Sequence, residues 1–225
     1  MKTILFTYTT VLNVVILISL LFAIKNFKKI RLTNLGIFPL YTFISLLVDI
    51  ISYIDKPCGI LLTNMFIIFE FVIFYNFYWK ILNDSKSHKI LTLIFISFIF
   101  LFIIMIPMYY YRFKYIFNDN LSFIEIFIKH PFMELMAATD ILIIIPVILY
   151  FRSLFLIPIN KLNADPIFLV MTGIIFGFCI MIPMDAMFLL VRSYAKNLFM
   201  YLYVINAFGY ILFHLFLIKA YSTFQ

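Results

Sequence analysis

Long apolar runs broken by short polar punctuation set the pattern of this chain. Seven runs are long enough to form membrane helices of about 20 residues each, and they fall at about 4–24, 35–54, 60–82, 90–108, 132–155, 166–192 and 197–219. A shorter apolar stretch at 122–130 opens with Ser122-x-x-Glu125, the pattern of a capping box, and predicts an interfacial helix. The expected fold is therefore all-α: a single integral membrane domain over 1–225, an intramembrane bundle of seven transmembrane helices.

The polar positions inside the runs follow helical spacing. In the second run Tyr41, Ser45, Asp49 and Tyr53 recur every fourth residue and share a face. In the third, TNMFIIFEFVIFYNFYWK over 63–80, Glu70 stands mid-span. A charged side chain there costs roughly 2.5–3.5 kcal/mol on insertion scales, so the rest of the bundle is expected to offset it. The fifth run holds Glu134 and Asp140, and the sixth places Gly173, Gly177, Met181 and Asp185 at intervals of four. Gly173-x-x-x-Gly177 predicts close helix packing. The seventh carries the stripe Tyr203, Asn206, Tyr210 and His214. The fourth run has almost no polar residue and is expected to be the most lipid-exposed.

Composition supports lipid as the solvent. The 225 residues are 66% hydrophobic and only 12% charged, with a mean hydropathy of +1.13, whereas soluble domains are about 45–50% apolar and about 25% charged. The many Phe and Tyr residues suit lipid-facing surfaces and interface belts. The first run reads as a membrane helix rather than a signal peptide, because it is too long for an h-region and no small-x-small site follows.

The net charge of +7 lies in short loops and marks topology and contact with anionic lipid rather than nucleic acid. Lys25, Lys28, Lys29 and Arg31 follow the first run, which places that loop in the cytoplasm, the N-terminus outside and the C-terminus inside. In this orientation Asp49, Glu134, Asp140 and Asp185 fall in the outer half, Glu70 near the middle and His214 in the inner half. Arg112, Lys129, Arg192 and Lys196 form an outer cationic rim. The expectation is an outward vestibule narrowing toward Glu70, lined by Asp49, Asp140, Asp185, Asn206, Tyr210 and His214. Carboxylates sharing such a poorly hydrated space are not expected all to stay ionised.

Several chemistries find no support. A retinal-type Schiff base needs a lysine in mid-helix seven, and Lys219 lies at the helix end. Three scattered histidines and two cysteines give no metal spacing, and neither a Ser/His pairing nor a phosphate loop is present. No catalytic residue, metal or cofactor is assigned. FEFVIFYNFYWK (69–80) can be laid over FGYILFHLFLIK (208–219), a weak echo of the internal repeats of small transporters.

The stretches IIFEFVIFYNFYWKIL, PIFLVMTGIIFGF and YVINAFGYILF, with Glu134 opening the fifth run, make the chain similar to small seven-helix inner-membrane proteins common in Bacteroidota. That resemblance implies a bacterial inner-membrane location and a signalling or accessory role. Asp140 and Asp185 are not part of it. Three readings stay open. The leading one is a non-enzymatic sensor or accessory subunit that couples its polar cavity to a partner protein or to a homo-oligomer. The alternative is a small proton-coupled transporter, and the third is an intramembrane lipid-modifying enzyme.

Overall fold

The computed structural model describes residues 2–116, 122–154, 165–194 and 196–224. Among them every regular element is helical: α1 (Lys2–Lys25), α2 (Phe27–Ile30), α3 (Phe38–Ile54), α4 (Lys56–Ile81), α5 (Ser85–Tyr111), a π-helical turn (Arg112–Ile116), α6 (Phe123–Lys129), α7 (Met133–Leu154), α8 (Pro166–Tyr194) and α9 (Lys196–Ser222). Six of these, α1, α4, α5, α7, α8 and α9, are long and apolar enough to cross a membrane. At 17 residues α3 is apolar but shorter. It reaches about 25 Å at 1.5 Å per residue, against a hydrocarbon core of about 30 Å. Residue 155, the expected end of the fifth run, lies outside the described residues, as do the side chains of Arg192 and Lys196 of the expected cationic rim.

Helix starts are set by caps rather than by the onset of hydrophobicity. The Asp55 side chain accepts from the Cys58 amide at 3.3 Å, and Pro57 stands in the first turn, so α4 begins at Lys56. What reads in sequence as a five-residue turn is therefore mostly helix. Asp84 accepts from the Ser87 amide at 2.9 Å and starts α5 at Ser85, inside the stretch that sequence assigns to a polar loop. An N-cap oxygen satisfies backbone donors that apolar patterning does not register.

Helix contacts close a ring: α1 on α3, α3 on α4, α4 on α7, α7 on α8, α8 on α9, and α9 back on α1. Outside this ring α5 rests on α4 and α7, and of the six long apolar helices it buries the smallest share of its residues. The most extensive pair is α8 with α9. A methyl group on Gly209 would lie 2.8 Å from the Gly177 carbonyl oxygen, and one on Gly173 would lie 2.6 Å from Phe216 Cβ. The Gly173/Gly177 face thus meets α9 at backbone distance, with Gly209 as the partner glycine.

The centre of the ring is aromatic. Phe38, Phe74, Phe77, Phe178 and Phe213 are fully buried and mostly edge-to-face, with Phe38 and Phe77 centroids 4.8 Å apart. Phe71 stacks on Phe98 of α5 at 3.9 Å. Sequence reading sends aromatics to lipid faces and interfaces. Here many point inward, because aromatic pairs add attraction that does not depend on excluding water.

Both ends of the bundle are tied by polar side chains. At the end holding the α3–α4 turn, Asn64 donates to the carbonyls of Phe127 (2.7 Å) and His130 (3.0 Å), and its oxygen accepts from the Phe132 amide at 2.9 Å. Asn64 thereby fixes α6, whose capping box is formed as the sequence predicts. Nearby, Arg112 pairs with Glu134 at 2.6 Å, and the Glu134 amide donates to the Tyr109 hydroxyl. At the other end Asn26 donates to the Tyr221 carbonyl at 3.1 Å and Lys29 to that of Phe224 at 2.5 Å.

Candidate functional site

The ring positions five polar side chains at its interior, each on a different helix. Glu70 comes from α4, Asp140 from α7, Asp185 from α8, Tyr41 from α3 and Tyr210 from α9. The three carboxylates are only 3%, 3% and 2% exposed, in that order. Tyr41 donates to Glu70 Oε1 at 2.8 Å. Asn206 donates to Asp185 Oδ1 at 2.6 Å. Asp140 lies within the electrostatic field of both Glu70 and Asp185, and Glu70 within that of Asp185. Tyr210 lies close enough to Glu70, Asp140, Asp185 and also Asp49 for their charges to act on it.

Local sequence explains how these groups face inward. Tyr41 and Ser45 are both buried on one face of α3, one turn apart. Asn206 and Tyr210 repeat that spacing on α9. In α7, Pro146 lacks the N–H that the carbonyl of residue 142 would accept, and in the same stretch Tyr78 donates to the Ile143 carbonyl at 2.9 Å. That bond ties α4 to α7 three residues beyond Asp140 and eight beyond Glu70. Pro183 stands two residues after Met181, the end of the Gly173–Gly177–Met181 row, and two residues before Asp185.

Asp49 lies at the margin of this cluster. It is half-buried, and its electrostatic neighbours are Tyr203 and Tyr210 of α9 rather than Glu70 or Asp140. His214 is fully buried, stacks on Tyr41 with centroids 6.2 Å apart, and has no hydrogen-bond partner on either ring nitrogen. Glu134 stands apart, paired with Arg112.

Among the described residues the only ion pairs are Arg112–Glu134 and Lys129–Glu125, so no described Lys or Arg neutralises Glu70, Asp140 or Asp185. The Tyr41 hydroxyl on Glu70 and the Asn206 amide on Asp185 stand where counter-ions would. The low exposure of the three carboxylates means that in this conformation they are closed off from solvent, rather than standing at the floor of an open vestibule. Among the described residues no three His, Cys, Asp or Glu side chains come close enough to hold a metal ion. Chemically, three buried carboxyl groups beside tyrosine hydroxyls are groups that can accept and release protons.

Sequence reading names seven of these residues, Glu70, Asp49, Asp140, Asp185, Asn206, Tyr210 and His214, but not Tyr41 or Tyr78 as site members. Tyr41 is visible only as part of the α3 stripe. Its pairing with Glu70 crosses 29 positions and leaves no local signal. No family model, curated protein or solved structure matches this chain.

Proposed function

We propose that this chain is a seven-span bacterial inner-membrane protein, N-terminus outside and C-terminus in the cytoplasm, that acts as a sensor or accessory subunit. Its acidic cluster takes up or releases a proton, or binds a small polar ligand, and the altered packing is read by a partner protein. In this reading α3 is the seventh span, tilted or locally thinning the bilayer to match its length. The observation that carries the proposal is the convergence of Glu70, Asp140 and Asp185, from three helices, on one closed cluster without a described cationic partner. Buried ionisable groups within a membrane are costly and are by default functional. The closely packed α8–α9 seam beside Asp185 and Asn206 is the element that would respond.

The test is gentle detergent extraction from the native host followed by mass analysis of what remains bound. A stoichiometric second protein, lost or weakened in Glu70→Gln, supports the reading. Its absence, together with Glu70-dependent and pH-dependent flux in proteoliposomes, moves the assignment to a proton-coupled carrier. That second reading is favoured by one observation: the cluster draws on helices from both halves of the chain, α3 and α4 against α7, α8 and α9. The lipid-modifying reading gains nothing from the groove between α1 and α3, where no carboxylate stands among the described lining residues.

A further inference from the structure

Helices α1 and α9 run parallel and meet in register. Leu12 shares a small buried cluster with Ala207, and two heptads further on Asn26 donates to the Tyr221 carbonyl at 3.1 Å. Both pairs are 195 positions apart, so the pair midway between them is Ser19 with His214. Residues seven apart return to nearly the same helix face. Ser19 and His214 therefore occupy one layer of the α1–α9 seam, and each is 0% exposed.

Hydrogen bonding in this layer is incomplete. The Ser19 hydroxyl and both ring nitrogens of His214 are buried without a partner. A mid-helix serine can donate to the carbonyl four residues back, and a neutral imidazole carries one donor and one acceptor. Left unpaired, such groups lose their hydration without return, so an apolar pair would pack here at lower cost.

The layer lies between two polar regions. On one side His214 stacks on Tyr41, whose hydroxyl donates to Glu70, and Tyr210 stands one turn back along α9. On the other side Tyr221 is fully buried, about 10.5 Å further along the helix at 1.5 Å per residue. Helical side chains lean toward the N-terminus of their helix, so the Tyr221 ring reaches back toward the His214 layer. Asn26, bonded to the Tyr221 carbonyl, closes the line at that end of the bundle. Beside this line the core is the aromatic block of Phe38, Phe74, Phe77 and Phe213. The titratable groups that face the imidazole are thus Tyr41 of α3, with Glu70 of α4 behind it, and Tyr210 and Tyr221 of α9 itself. Residues 9–24 of α1 and 166–184 of α8 contain no Asp, Glu, His, Lys or Arg.

We infer that His214, with Ser19 beside it, is the proton-transfer site between the acidic cluster and the Asn26–Tyr221 end of the bundle, the cytoplasmic end in the proposed orientation. The inference rests on the reading that the cluster exchanges a proton. In uptake, the imidazole takes a proton at one nitrogen from the Ser19 side and releases the proton of the other toward Tyr41. Tyr41 gives its own hydroxyl proton to the Glu70 carboxylate and is reprotonated by His214. One proton enters, Glu70 becomes neutral, and a turn of the ring restores the starting tautomer.

The test follows deuteration of the protonated carboxyl band by infrared spectroscopy after the full chain in lipid is transferred to heavy water, with Glu70→Gln assigning the band. His214→Phe keeps a ring against Tyr41 and removes both nitrogens. Deuteration should slow by about a hundredfold, the scale of a positioned acid–base group, with amide exchange along α9 unchanged. Ser19→Ala should slow it less, and the double variant no more than His214→Phe alone, because the two act in series. Ser19→Ala decides the matter by itself if His214→Phe does not fold. Unmodified rates in these variants overturn the proposal, as does slowing accompanied by faster amide exchange along α9, which marks a packing role. Slowing in Tyr203→Phe, near the opposite end of α9, with none in His214→Phe places the route at the other end and also overturns it. A chain with no protonated carboxyl band at any pH overturns the proton reading of the cluster as well. A band that deuterates regardless of His214 overturns the transfer site alone.

Discussion

Tyr41 illustrates how the bundle accommodates a carboxylate. Its hydroxyl gives Glu70 a 2.8 Å hydrogen bond, and its ring lies between Phe66, Phe74, Phe213 and His214. Removing that hydroxyl in Tyr41→Phe keeps the ring packing but leaves a buried acceptor unpaired. We expect a loss of about 1–3 kcal/mol, read as a lower thermal midpoint in detergent. Tyr41→Phe combined with Glu70→Leu should recover most of the loss, because neither polar group then remains. Glu70, Asp140, Asp185, Asn206, Tyr210 and His214 are legible in sequence because ionisable and amide residues stand out against an apolar background. Which of them touch is not legible, since pairings such as Asn206 with Asp185 depend on how separate helices are rotated. His214 and Asp49 share the same stripes as cluster members, yet one is unpartnered and the other marginal.

The elements show a similar division. Long apolar runs announce seven helices, of which six are long and apolar enough in the structure to cross a membrane and α3 is shorter, whereas α2 and the π-helical turn after α5 carry no periodic signal of their own. Gly173 and Gly177 advertise close packing, but the partner surface, centred on Gly209, becomes clear only once α9 is in place. Gly209→Leu forces a bulky side chain against the Gly177 carbonyl and Met181. We expect it to destabilise the protein by about 1–3 kcal/mol or more and to loosen α8 from α9, seen as faster hydrogen exchange along both. Asn64→Ala removes three hydrogen bonds that hold α6, and exchange at residues 127–132 should accelerate while the ring helices keep their protection. The cap of α6 adds a pH dependence. The Ser122 backbone N–H, then its hydroxyl, hold the Glu125 carboxyl below the ordinary glutamate range. The cap is therefore intact above about pH 4.3 and is lost as pH falls through the lowered value. Exchange at the Ser122 amide, which donates to Glu125 at 2.8 Å, should rise relative to its neighbours only in that acidic window.

At the scale of the whole molecule, the proposed orientation makes opposite predictions for the two ends of the bundle. In a Cys58→Ser, Cys179→Ser background, which removes both native cysteines, a cysteine at the exposed Lys56 position should react with an impermeant maleimide added outside intact cells. One at the exposed Lys28 position should react only after the membrane is opened. The reverse pattern would invert the topology, and labelling of both from outside would mean an even number of spans between them. The closure of the ring has a further consequence, in time rather than space. The contacts that complete α1 are made largely by α9, and the loop after α1 is fastened by Asn26 and Lys29 to carbonyls at Tyr221 and Phe224. At a synthesis rate of about 5–20 residues per second, the first helix waits on the order of 10–40 s in the bilayer for its last neighbour. During that interval the nascent chain is an open crescent whose free edges belong to its earliest and latest parts, and a ribosome stalled before α9 would leave that crescent for quality control to find.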